Sequence, residues 1–113
     1  MVKTENQSFG LTLSSIRLIK EELQKYSEIE KVIIYGSRAM GNYKKGSDVD
    51  LALVGTHVTR DTVTRLHCRL NEELPLPWYF DVLNYDHLEN ENLKNHIDRE
   101  GITFYKREDH LSD

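Results

Sequence analysis

Two short apolar runs, Val32-Ile33-Ile34-Tyr35 and Leu51-Ala52-Leu53-Val54, flank a polar stretch too short to carry a crossover helix. Strands joined by so brief a connection pair antiparallel, and their apolar, partly β-branched content suits burial on both faces. The polar stretch opens with Gly36-Ser37-Arg38-Ala39-Met40-Gly41 and closes with Ser47-Asp48-Val49-Asp50. A Gly-Ser turn can present backbone N–H groups and a hydroxyl to a phosphate. Asp48 and Asp50, two positions apart, project from one face of a strand. Nucleotide phosphates and a divalent cation need those two features side by side, so residues 36–51 read as a catalytic centre.

The rest of the chain supplies elements to support that pair. Residues 1–10 are polar and read as loosely held. From Thr12 to Tyr26, Ile16, Ile19, Leu23 and Tyr26 recur at helical spacing, with Thr12 or Ser14 as cap. A first strand is expected over Lys31–Tyr35 and a second over Asp48–Val54. Thr59 to Leu74 repeats Val63, Leu66, Leu70 and Leu74 as a helical stripe that Pro75 and Pro77 stop. Trp78–Asn84 reads as a third strand, apolar and aromatic except for Asp81. Asp86 is the expected cap of a helix ending near Arg99 or Glu100, with Leu93 and Ile97 inward and Gly101 as its left-handed terminator. Ile102–Lys106 makes a last, edge strand.

This order, α-β-β-α-β-α-β, predicts an α+β two-layer sandwich: a mixed four-stranded sheet with its helices on one face. It is expected to form a single domain over 1–113, with a core of about 12–106. An antiparallel first pair sets Gly36 and Ser37 beside Asp48 and Asp50. A right-handed parallel crossover through 55–77 brings Asp81 to the same end. Three carboxylates and a phosphate-binding turn thus converge from separate pieces of sequence. Burying unpaired carboxylates costs several kcal/mol per ion, so these need a cation; salt bridges to Arg38, Lys44 or Lys45 are the structural alternative.

Composition narrows the function. With 113 residues, 30% of them charged, and a net charge of −4, the chain has no global attraction to nucleic acid. No run approaches the apolar length of a membrane span. The single Cys68 and the lack of a signal-peptide core point to a reducing, cytoplasmic setting. The five histidines show no zinc spacing. Trp78, Tyr79 and Phe80 read as core and cleft wall rather than a base-stacking platform.

Gly36-Ser37, ten residues, Asp48-Val49-Asp50 and a later lone Asp81 together resemble the nucleotidyltransferase superfamily that includes the polymerase-β palm. The short form, G-S-R-A-x-G followed by S-D-x-D-L, resembles its minimal (MNT) branch, and the likeness covers roughly residues 12–106. The resemblance implies that Gly36 and Ser37 hold the β- and γ-phosphates of a nucleoside triphosphate such as ATP, with Arg38 nearby. It implies that Asp48 and Asp50 ligate two Mg²⁺, one shared with Asp81, which is also the candidate general base. Met40 stands where many relatives carry a basic residue, with Lys44 and Lys45 as substitutes in phosphate contact.

Larger members carry a second, acceptor-binding domain that this chain is too short to include. The minimal branch is typically encoded beside a small all-helical HEPN protein, the two resembling a toxin–antitoxin pair. The implied activity is transfer of AMP from ATP to a tyrosine of that HEPN ribonuclease, with this chain as antitoxin. The alternatives are a small-molecule acceptor, as in aminoglycoside nucleotidyltransferases, and a non-catalytic antitoxin that only masks its partner. A sheet face left open beside the aspartates is expected to receive the partner.

Overall fold

The computed structural model describes residues 8–108. Of the stretch 1–10 expected to be loose, residues 1–7 lie outside the described residues, as does the tail end with His110, whereas Phe9 packs against the core and its carbonyl accepts from Arg38. Four strands, β1 (Lys31–Tyr35), β2 (Val49–Val54), β3 (Phe80–Asn84) and β4 (Ile102–Lys106), form one sheet in the order β3-β2-β1-β4. β1 pairs antiparallel with β2 and β4, and β2 pairs parallel with β3. The mixed α+β sheet and the edge position of β4 agree with the expectation.

Helix α1 (Leu13–Gln24) begins where Thr12 accepts a hydrogen bond from the Ser15 N–H at 3.1 Å. Its stripe, Ile19, Leu23 and the following Tyr26, packs on Val32, Ile34, Val49, Leu51 and Leu53. Helix α3 (Arg60–Cys68) joins the same layer through Leu66, held at its start by reciprocal bonds between Thr59 and Thr62. It then widens into a π-helical turn, Arg69–Glu73, where the sequence pattern showed only an unbroken stripe. The wider turn lets Asn71 reach the free edge of β3. Its side chain accepts from the Phe80 N–H at 2.8 Å and donates to the Phe80 carbonyl at 2.9 Å. Buried Glu22 ties α1 to this turn through Arg69 at 2.9 Å.

Helix α4 (Glu91–Glu100) corrects the expectation of helices on one face. Ile97 and Leu93 pack against Tyr35, Ile33, Ala52 and Leu83, the strand positions that alternate with the main core. The connections around α4 carry it across the opposite face, so that face is partly covered rather than open. Its cap is Asn90, which accepts from the Leu93 N–H at 3.0 Å. Asp86 instead sits in a 3₁₀ turn and accepts from the Gly55 N–H at 2.9 Å, bracing the exit of β2. Gly101 is extended, with φ −71°, and not left-handed. A Cβ there would meet Ile33 Cγ2 and the Ile97 carbonyl, both at 2.5 Å, so close packing requires the glycine.

Candidate active site

β1 ends at Tyr35, whose antiparallel partner is Asp50; Asp50 in turn lies beside Asp81 in the parallel pair. Because side chains alternate along a strand, Asp50 and Asp81 share the face that carries Ala52 and Leu83. Asp48 stands one residue before β2, where the Val49 N–H donates to the Tyr79 carbonyl at 2.9 Å. Like charges side by side on adjacent strands are unfavourable. Burial pushes the Asp50 carboxyl up to about 6, with Asp81 and Asp48 adding to the rise and His96 opposing it. Burial, then the charges of Asp50 and Asp81, also raises the Tyr35 phenol. Among the described residues none of the three aspartates forms an ion pair, so the salt-bridge alternative through Arg38, Lys44 or Lys45 is not what the structure shows.

The turn after β1 is built around Gly36. Its φ of 76° and ψ of −155° fall in a region essentially restricted to glycine. A Cβ at that position would run into the Asp50 carboxylate. The chain then forms a single helical turn, α2 (Ser37–Met40), whose first N–H groups have no intrahelical acceptor. Ser37 thus sits beside the strand end that carries Asp50, and Met40 is exposed.

Arg38 is placed differently from the expected phosphate contact. It is 2% exposed, and its guanidinium donates to the carbonyls of Ser47 (2.9 Å), Phe9 (2.7 Å) and Lys45 (3.3 Å). It therefore pins the loop that leads into Asp48. Ser47 and Lys44 close the same loop with reciprocal bonds of 2.8 and 3.0 Å. Lys45 lines an adjacent cleft with Asp48, whereas Lys44 stands exposed on the loop without lining it.

Oxygen-only donors without a protein cation suit a hard divalent ion such as Mg²⁺. As placed, no three His, Cys, Asp or Glu side chains among the described residues are arranged so that together they could hold a metal ion. The Asp48 and Asp81 side chains are exposed, and neither is held by a hydrogen bond or ion pair among the described residues. Two neighbours of the carboxylates escaped the sequence reading. Tyr35 counted only as an apolar strand residue, although strand parity puts it on the aspartate face. His96, edge-on to Tyr35 at 6.2 Å, arrives from α4, whose side of the sheet no local pattern revealed.

The family model for polymerase beta nucleotidyltransferases matches residues 17–110, and the chain belongs to that family. No curated protein matches the chain. Among solved structures, a toxin–antitoxin complex with AMP-PNP contains a similar chain at 16% identity and a TM-score of 0.66, covering 85% of this chain and 76% of that one. A mutant of the MntA–HpeT toxin–antitoxin pair is similar at 12% identity and a TM-score of 0.62, with 87% and 75% covered. A tri-AMPylated Shewanella oneidensis HEPN toxin in complex with its MNT antitoxin is similar at 13% identity and a TM-score of 0.56, with 81% and 73% covered. At these identities the likeness establishes the shared nucleotidyltransferase fold. No helix among the described residues is long and apolar enough to cross a membrane.

Proposed function

We propose that this chain, acting as one minimal domain in the cytoplasm, transfers AMP from ATP to a tyrosine hydroxyl of a helical HEPN partner and so serves as its antitoxin. The observation that carries the reading is the gathering of Asp48, Asp50 and Asp81 at one sheet end, with no ion pair to any of them among the described residues, beside the glycine-dependent Gly36–Ser37 turn. Support for the reaction and partner comes from the similar structures, one a complex with AMP-PNP and one a complex whose HEPN toxin is AMPylated.

In this reading the Ser37 hydroxyl and the N–H groups of the turn hold the β- and γ-phosphates. Asp48, Asp50 and Asp81 would hold Mg²⁺, which would supply charge neutralisation for the triphosphate and acidify the acceptor hydroxyl. Asp81 receives the acceptor's proton. The acceptor oxygen forms a bond to the α-phosphorus as the bond to the β-phosphate oxygen breaks, and pyrophosphate leaves. Arg38 contributes by holding the Ser47 carbonyl, which fixes the backbone that delivers Asp48. Such transfer is mostly positioning and electrostatics.

The test is incorporation of labelled AMP from Mg–ATP, with and without the purified HEPN partner, followed by mass spectrometry of the acceptor. Tyrosine-linked AMP on the partner, absent with the Asp48→Asn/Asp50→Asn double variant, is the expected result. Robust transfer to a small molecule, indifferent to the partner, would sink the antitoxin assignment.

A further inference from the structure

Next to the carboxylates lies a cleft of about 550 Å³ that the phosphate- and metal-directed residues leave unexplained. Its walls include Tyr43 from the loop before β2 and Trp78 and Tyr79 from the approach to β3; Arg38, Lys45 and Asp48 complete its polar lining. Each ring is held by a second group. The Arg38 guanidinium carbon is 4.9 Å from the Tyr43 ring centre and 5.8 Å from that of Trp78. Its bonds to the Ser47, Phe9 and Lys45 carbonyls keep it there. Tyr79 is 50% exposed, yet its hydroxyl lies 3.0 Å from His67 Nε2 and the two rings stand edge-on at 5.7 Å. Aromatic surfaces fixed before a ligand arrives lose little freedom on binding. The volume falls within the range of small-molecule sites, roughly 300–1,000 Å³.

We propose that this cleft receives the nucleoside end of the nucleotide, with its base stacked on the aromatic walls. The inference rests on reading the Gly36–Ser37 turn and the three aspartates as a nucleotide site. Continuity selects the occupant: Asp48 belongs both to the cleft and to the carboxylate cluster. A nucleoside lodged in the cleft therefore meets the cluster through its own 5′-phosphate. Lys45 adds positive charge to the lining. With the Arg38 donors committed to backbone carbonyls, recognition is by stacking, which every base permits. Discrimination between adenine and guanine should accordingly be weak.

Trp78 is the one tryptophan in the sequence, so its emission reports directly on the cleft. The full chain is titrated with AMP, GMP, Mg–ATP, inorganic triphosphate with Mg²⁺, and N-acetyltyrosinamide, following emission and calorimetry in parallel. AMP and Mg–ATP should both shift Trp78 emission, with GMP within a few-fold of AMP. Tyr79→Ala should weaken AMP and Mg–ATP by the same factor, about fivefold, the low end for one stacked base, and leave triphosphate affinity unchanged. Trp78→Phe keeps a ring in the wall and should retain AMP affinity by calorimetry. Mg–ATP binding without an emission change, or AMP affinity unmoved by Tyr79→Ala, overturns the proposal. A response to the tyrosine analogue but not to AMP also overturns it and gives the cleft to the acceptor. AMP binding that shifts Trp78 while neither triphosphate nor Mg–ATP binds supports the cleft and defeats the transfer reading instead.

Discussion

On the face of the sheet covered by α1 and α3, Val32, Ile34, Val49, Leu51, Leu53 and Phe80 are all at 0% exposure. On the reverse face the same strands present Tyr35, Asp50, Ala52, Asp81 and Leu83, and among the described residues α4 lies against them together with Tyr85 and Leu88 from the segment before it. The first face is apolar along its whole length. The second is divided: Ala52 and Ile97 are buried together, while the aspartates at the other end repel one another with no ion pair among the described residues. Alternation along each strand lets one short segment serve both tasks, because consecutive residues never share a face. Stability is concentrated where the helices seal the sheet, and the charge arrangement is supported by it from behind.

The sharpest way to break this comparison uses two neighbours in β3. Asp81→Asn should cut AMP transfer by several orders of magnitude, because it removes both a metal carboxylate and the proposed base. The melting temperature should hold or rise, since a repulsive charge is lost. Phe80→Ala should do the reverse in kind, costing about 3–5 kcal/mol of stability through loss of a buried aromatic side chain. Denaturant unfolding and transfer assays on both variants check the pair; equal destabilisation by the two would end the division of labour.

Gly36→Ala tests the seam between the faces. The backbone conformation alone should cost about 1–3 kcal/mol, and the added methyl must displace the Asp50 carboxylate. Mg–ATP affinity should therefore fall further than stability predicts. A variant with wild-type nucleotide binding would remove Gly36 from the site.

The smallest effect is the opposite pH response of two carboxyls in metal-free protein. Asp50 is raised to about 6 from an ordinary 3.8 by burial, then by Asp81 and Asp48. It binds its proton more tightly when folded, so its contribution is fully present below 3.8 and is lost as pH rises through about 6. Glu22, on the core side, is held below 4.5, chiefly by its hydrogen bond from Arg69. Its contribution is present above 4.5 and is lost as pH falls through its lowered folded value. Melts in chelator should show Asp50→Asn flattening the decline between pH 4 and 6, and Glu22→Gln flattening the loss at lower pH.

Local pattern carried much of this architecture. The β1 residues, the Thr12 cap, the edge strand β4 and the meeting of Asp50 with Asp81 all follow from spacing, strand parity and connection length, which are properties of neighbouring residues. The same signals could not say that Asp86 would brace Gly55 rather than cap α4, because Asn90 offers an equally good cap nearer the helix. They identified Arg38 as a cation beside a phosphate turn but not that the Phe9, Lys45 and Ser47 carbonyls would claim its donors; those carbonyls lie up to 29 positions away. Above all, the side of the sheet taken by α4 was decided by how its connections cross the folded strands. An apolar stripe records that a helix buries one face, not which of two sheet faces receives it. Only the packed structure therefore put His96 beside Tyr35 and Asp50, and drew Tyr43, Trp78 and Tyr79 around one cleft.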